Sequence, residues 1–318
     1  MHKLSTNTSQ VTDRDSDSIS NGIHKPVLLK EILEVFDPRP GQNFVDATIN
    51  GGGHAGAILE LVGEKGMVLG IDWDCELIEK LRDLPVPPGE RNLKLICDNY
   101  ADVKHIVAKH NFGPVAGVLA DLGFSSYHLE KSGRGFSFLK DEPLDMRYSR
   151  EANTLTAEKI INSWPLEKIE DVLRTYGEER FAGRIARGII SARNAKKISR
   201  TGELAKIVER NVPPQYRRMR LHPATRSFQA LRIAVNRELE NLEKALPEMI
   251  EVLAVGGKIA IISFHSLEDR IVKNIFKEYQ KKGDIKIITK KPITASFEEK
   301  KVNPRARSAK LRVAQKAY

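Results

Sequence analysis

The chain has 318 residues, 41% hydrophobic and 30% charged, with a formal net charge of +10, enough apolar material for one large domain or a domain carrying a second. No apolar run is long enough to span a bilayer. The first 23 residues hold neither the apolar block of a signal peptide nor the acid-poor composition of a transit peptide, so residues 1–23 are expected to be a disordered tail on a cytoplasmic protein.

Leu28, Leu29, Ile32, Leu33 and Phe36 recur at helical spacing and predict a helix over 27–36, ended by Asp37-Pro38 and Pro40-Gly41. Strands and helices then alternate. Strand 43–47 contains Asp46, and helix 54–62 follows. Strand 67–71 runs into Asp72, with helix 74–82 and a Pro-rich turn at 85–89 behind it. Strand 93–97 runs into Asp98, helix 102–110 follows, and strand 115–120 runs into Asp121. Four such units predict a parallel, doubly wound α/β sheet with its ligand crevice at the carboxyl ends of the strands. Cys75 and Cys97 lack a zinc spacing and are expected to be two reduced thiols in a reducing cytosol.

After Asp121 the alternation stops, and the next good strand is 258–263. Helical patterns at 156–162, 166–176, 178–193 and 202–211 fill the gap, so 127–222 is expected to be an inserted helical subdomain. A long helix over 224–245 leads back to the sheet. Pro247 is expected to start a further helix and Gly256-Gly257 to end it. Helix 267–279 and strands 285–289 and 309–314 close the chain. Residues 174–226 hold 14 Lys/Arg against 4 Asp/Glu, and residues 270–318 hold 15 against 4, while the remainder is net acidic. Two dense basic regions on an acidic body point to a polyanionic partner, of which nucleic acid is the commonest.

Acids at strand ends face the ligand crevice, and here Asp46, Asp72, Asp98 and Asp121 do so in series. Gly51, Gly53 and Gly56 form a G-x-G-x-x-G pattern that suits a dinucleotide or S-adenosylmethionine equally. Asp46, just before those glycines, would repel a pyrophosphate and attract the ammonium and sulfonium charges of S-adenosylmethionine, so the methyl donor is favoured. Asp72 suits a ribose diol, and Asn99-Tyr100 offers an amide and an aromatic face to an adenine ring.

In Asp121-Leu122-Gly123-Phe124-Ser125-Ser126, Asp121 is placed to accept from an amine and Phe124 to stack on an extruded base, with Ser125 beside them. In Ser263-Phe264-His265-Ser266-Leu267-Glu268-Asp269-Arg270, Ser266 is expected to cap a helix, with Asp269 three residues on, and His265 to accept a proton. His265, Glu268 and Asp269 lack a third strong ligand nearby, so no metal is expected. Neither Ser125 nor Ser266 has an oriented base that would make it a covalent nucleophile. A dinucleotide-dependent oxidoreductase and a non-catalytic RNA-binding assembly factor are the competing readings. Asp46 and the basic insert weigh against the first, and the retained Asp46, Asp72 and Asp121 against the second.

From His24 to its end the chain resembles the bacterial 16S rRNA (cytosine-N4)-methyltransferases. The resemblance is carried by His24-Lys25-Pro26-Val27-Leu28-Leu29, Gly52-Gly53-His54, Asp121-Leu122-Gly123 with Ser125-Ser126, and Arg134-Gly135-Phe136-Ser137-Phe138. Pro143-Leu144-Asp145-Met146-Arg147, Tyr176 to Ala182, His222-Pro223-Ala224-Thr225-Arg226, Ser263 to Arg270 and Asn303-Pro304-Arg305-Ala306-Arg307-Ser308 continue it. It implies a class I, Rossmann-like S-adenosylmethionine methyltransferase sheet over 24–126 and 223–318 with a helical insert. It also implies methylation of a cytidine in the decoding region of small-subunit rRNA; that rRNA is expected as the partner, within an assembling 30S particle, and no membrane or obligate protein partner is expected. By position it puts donor contacts on Gly52, Gly53, His54, Asp72, Tyr100, Asp121 and His128. The chain departs from the family in having Ala47-Thr48 for Gly-Thr, Ile49 for an aromatic residue, and Ser125-Ser126-Tyr127-His128 for Ser-Ser-Pro-Gln.

Overall fold

The computed structural model describes residues 26–83 and 92–318; the expected tail over 1–23 and the turn at 85–89 lie outside the described residues. The strands are β1 (Asn43–Asp46), β2 (Met67–Asp72), β3 (Leu93–Cys97), β4 (Val115–Asp121), β5 (Leu253–Ser263), β6 (Ile285–Ile287) and β7 (Lys310–Lys316). They form one sheet in the order β3-β2-β1-β4-β5-β7-β6. The first five strands are parallel, and β7 runs antiparallel between β5 and β6. This is the doubly wound, Rossmann-like sheet expected from the strand–helix alternation.

Successive strand residues point to opposite faces. Phe44, Val68, Leu119, Ala260 and Ile262 face one apolar cluster, and Val45, Leu69, Val118, Ile259 and Ile261 face the other. The first face is covered by α1 (Leu29–Phe36), α2 (Gly53–Val62) and α3 (Cys75–Arg82). On the second face α4 (Val103–Lys109) begins the cover. Between β4 and β5 the chain passes through α5 (Ser126–Glu130), α6 (Ala157–Ser163), α7 (Leu166–Thr175), α8 (Ala182–Ala195), α9 (Thr201–Arg210), α10 (Pro214–Arg217) and α11 (Ala224–Asn236). A third cluster, including Ile161, Leu173, Ile185, Leu204 and Phe228, joins α6 to α11 around an apolar centre of their own. The second face is completed by α12 (Glu238–Val252) and α13 (Ser266–Lys282), and α14 (Phe297–Val302) precedes β7.

Four expectations fail for physical reasons. The helix expected over 224–245 breaks at Arg237, which adopts φ 50°. There Asn236 turns its amide into the insert, donating to the Met146 carbonyl (2.7 Å) and accepting from Tyr148 N (2.9 Å). Pro247 lies inside α12 rather than at a helix start. The hydrogen bond it forgoes belongs to the carbonyl of exposed Glu243, which water can serve. Gly256-Gly257 belong to β5 instead of ending a helix, and Gly256 at φ 78° makes an irregular opening to that strand. Finally, Cys75 and Cys97 are joined in a disulfide, not held as separate thiols. The register Asp72↔Cys97 sets the end of β3 beside the turn into α3, leaving the two Cα atoms 5.1 Å apart. Linear spacing carried no sign of that pairing.

The segment after β4 is fastened by a buried ionic network. Asp74 caps α3 by accepting from Glu76 N (3.1 Å). Arg134 donates to both of its oxygens (3.0 and 3.1 Å), and His128 Nε2 donates to it at 3.0 Å. His128 Nδ1 accepts from Ser125 N (3.1 Å), which fixes the tautomer. Burial alone would raise the Asp74 pKa; His128 and Arg134 hold it below the ordinary carboxylate value. Arg134→Met is expected to leave a buried, uncompensated charge and to destabilise the protein by about 3–5 kcal/mol. Thermal unfolding near neutral pH measures this, and an unchanged midpoint would contradict it.

Candidate active site

Parallel pairing places the ends of β1, β2 and β4 side by side, so Asp46, Asp72 and Asp121 gather at one sheet edge, all buried. Asp46 accepts from Thr48 N (3.2 Å). Asp72 accepts from Asn50 N (3.1 Å) and Asp74 N (2.9 Å). Thr48 Oγ1 accepts from Asp121 N at 2.6 Å, and the Asn50 amide donates to the Asp121 carbonyl at 3.2 Å, so the turn after β1 is stitched to the end of β4. Burial, reinforced by the neighbouring Asp121 and Asp72 charges, pushes Asp46 up to about 8, with the Thr48 N–H offsetting part of the rise. Asp72 is pushed up to about 7, again chiefly by burial and with Asp74 adding to it. Asp98 lies just past β3, where its side chain accepts from Asn99 N (2.8 Å).

Gly52 caps α2 at φ 78°, a conformation that glycine adopts without strain. A Cβ on Gly53 would come within 2.9 Å of the Pro26 ring. His54 donates from Nε2 to the Val27 carbonyl (2.9 Å), which turns Nδ1 towards Asp121 Oδ2 at 3.9 Å. Tyr100 lines a narrow cleft with Thr48, Trp73, Gly123 and Tyr148.

A larger cavity of about 530 Å³ shares Leu122 and Gly123 with that cleft and opens under the insert. Asp121, Phe124 and His265 all line it, whereas Ser125 is fully buried and serves as the N-cap of α5. His128 lines neither space; both its ring nitrogens are engaged in the Asp74 network. Of the candidate residues the structure thus brings Asp121, Phe124 and His265 together in the lining of the larger cavity and puts Tyr100 in the adjoining cleft, while Asp46 and Asp72 stand at the neighbouring strand ends and Gly52, Gly53 and His54 open α2.

The sequence reading missed the groups that join the two spaces. Arg232 lies over Phe124, its guanidinium carbon 4.5 Å from the ring centroid, and Arg305 approaches the same ring at 5.9 Å. Arg232 donates from Nε and Nη2 to Glu238 (2.9 Å each), and the Tyr148 hydroxyl donates to Glu238 at 3.0 Å. His265, not Ser266, is the N-cap of α13, and Glu268, not Asp269, completes the capping box by accepting from Phe264 N (2.8 Å) and His265 N (3.3 Å). Burial works to raise Glu268, but His265 and Arg232 hold it below its ordinary value. Ligand atoms of Glu238, His265 and Glu268 lie within 4.8 Å of one another. The Arg232 guanidinium already occupies both Glu238 oxygens, which opposes a second cation there. The helix-opening block was visible in sequence, but nothing local showed that it converges with Arg232 and Glu238.

Because Asp46 titrates near 3.8 in the unfolded chain and near 8 when folded, the folded state holds the extra proton between those values. Stability from this group is therefore present at low pH and lost as pH rises through that window. Asp46→Asn is expected to lose less thermal stability than the parent chain between about pH 5 and about pH 8. Parallel losses in a pH series of melting curves would contradict the buried-carboxyl assignment.

Among the described residues no helix is long and apolar enough to cross a membrane. A model of the MraW methylase family matches residues 21–317. A protein of Persephonella marina named ribosomal RNA small subunit methyltransferase H is 47% identical over 293 residues, covering 92% of this chain and 99% of its own. One of the same name from Heliobacterium modesticaldum is 45% identical over 309 residues, covering 92% and 98%. The chain belongs to the MraW methylase family and is an S-adenosylmethionine-dependent methyltransferase.

Proposed function

We propose that the chain methylates the N4 amine of a cytidine in the decoding region of small-subunit (16S) rRNA, in the cytoplasm and on an assembling 30S particle. The observation that carries this reading is the large cavity, which sets the carboxylate of Asp121 and the ring of Phe124 on one wall. The family relatives named for small-subunit rRNA and the two basic regions support RNA as the substrate.

The donor set fits S-adenosylmethionine. Asp46 and Asp72 are buried carboxyl groups answered chiefly by backbone N–H groups, and a cationic ligand would favour their charged forms. In this reading Asp46 faces the positive charges of the donor, Asp72 its ribose, and Tyr100 with Trp73 its adenine. Gly52, Gly53 and His54 form the floor. When bound, S-adenosylmethionine supplies an electrophilic methyl group on a sulfonium. His128, which the resemblance implied as a donor contact, acts instead through Asp74 and Ser125 to position the loop after β4.

A cytosine amine is a weak nucleophile because its lone pair is delocalised into the ring. Asp121 holds the amine by accepting a hydrogen bond from it, which orients the nitrogen and favours removal of a proton as the nitrogen becomes cationic. Phe124, backed by Arg232, provides the face on which an extruded base stacks. His265, at the cavity wall, accepts the Glu268 N–H on Nδ1 and turns Nε2 to the Glu268 carboxylate (3.2 Å), so it helps to shape that wall. Asp121→Asn is expected to lower single-turnover methyl transfer by ~10²-fold or more, while calorimetric affinity for S-adenosylmethionine changes only a few-fold. Near-normal transfer by this variant would remove Asp121 from the chemistry.

A further inference from the structure

The Asn303–Ser308 motif carries a second arginine to the Phe124 ring. Its Pro304–Arg307 stretch is a tight 3-10 turn that Asn303 caps by accepting from Arg305 N (3.3 Å), and Ala306, with no exposed surface, pins it to the sheet core. The turn carries Arg305 into the lining of the large cavity, which Asp121 and Phe124 also line, with its guanidinium carbon 5.9 Å from the Phe124 ring centroid. Burial works against the Arg305 charge, and the Asp121 carboxylate is the first charge that offsets it. The cavity therefore presents an acceptor-only carboxylate and, beside it, a donor-only guanidinium against one aromatic face.

Few bases match that arrangement. Cytosine carries its amine next to two acceptors, N3 and O2, along one edge. Uracil has a carbonyl oxygen in place of the amine and a hydrogen on N3, so it meets both protein groups with the wrong polarity. Adenine has an amine and one acceptor, but only a carbon-bound hydrogen where O2 would stand. A guanidinium with its planar fork of donors suits two acceptors in a row.

We infer that Arg305 is a specificity-determining residue, whose guanidinium donates to N3 and O2 of the cytosine whose amine faces Asp121. This rests on the cytidine-N4 reading given above. Leaving a buried donor without its acceptor is costly, so recognition of this kind rejects analogues strongly.

The test uses the full chain, small-subunit rRNA particles carrying cytidine or 3-deazacytidine at the target, and kcat/KM for methyl transfer. In the deaza base a C–H replaces N3 while the amine remains. The parent enzyme is expected to lose roughly 10- to 100-fold on that replacement, the range of a charge-assisted hydrogen bond. Arg305→Met is expected to be slower by a similar factor on cytidine, to bind S-adenosylmethionine normally, and to lose less than about 3-fold further on the deaza base. Because both enzymes meet the same altered amine, its changed reactivity cancels in the comparison. If Arg305→Met loses as much as the parent does, Arg305 does not read N3 and the inference is overturned. It is equally overturned if the parent makes N4-methylcytidine but is indifferent to N3. If the parent makes no N4-methylcytidine at all, the cytidine reading fails first and this inference falls with it.

Discussion

Burying several carboxylates along one sheet edge is the constraint from which the rest of this structure follows. Parallel strands that end in Asp46, Asp72 and Asp121, with Asp74 in the next turn, concentrate negative charge where water is largely excluded. The fold answers that charge unevenly. Asp74 receives Arg134, His128 and a helix N-terminus. Asp46 and Asp72 receive backbone N–H groups, too little to keep their acidity ordinary. The edge is thus rigid where charge is met from within and receptive to a cation where it is not.

The same division shapes the neighbouring spaces. Through Arg134 and His128, Asp74 fixes the loop that carries Phe124 and Ser125, so part of the large cavity's lining is set by an ion pair. From α11, Arg232 reaches Glu238 and Phe124, and from the segment after β4 Tyr148 touches both His128 and Glu238. Polar groups tie these helices to the sheet beside the large cavity, and Phe138 and Phe228 from their apolar cluster line it as well.

Much of this was legible in the chain. Apolar alternation gave the strands, and the acids Asp46, Asp72 and Asp121 marked the crevice because carboxylates are tolerated only where a ligand or a cap meets them. Asp121, Phe124 and His265 could be grouped because each follows a strand of the same sheet edge. What stayed hidden were contacts set by the path of the chain in space. Arg305 lies far along the sequence in a turn with no periodicity, and Arg232 sits mid-helix, where an arginine reads as surface. The disulfide depends on β2–β3 register, and the break at Arg237 on a tertiary hydrogen bond of Asn236. The helix-opening block misled by one residue because His265 and Glu268 cap as well as the serine and aspartate that the local pattern suggested.

The carboxylate edge and the aromatic cavity are together proposed to methylate a cytidine amine in small-subunit rRNA, an assignment open to direct measurement. It is tested most directly by transferring labelled methyl from S-adenosylmethionine to small-subunit particles that lack their native modifications, then digesting the RNA and identifying the labelled nucleoside. The account predicts label in N4-methylcytidine at a single position. Label in any other nucleoside, or none despite bound donor, would contradict it.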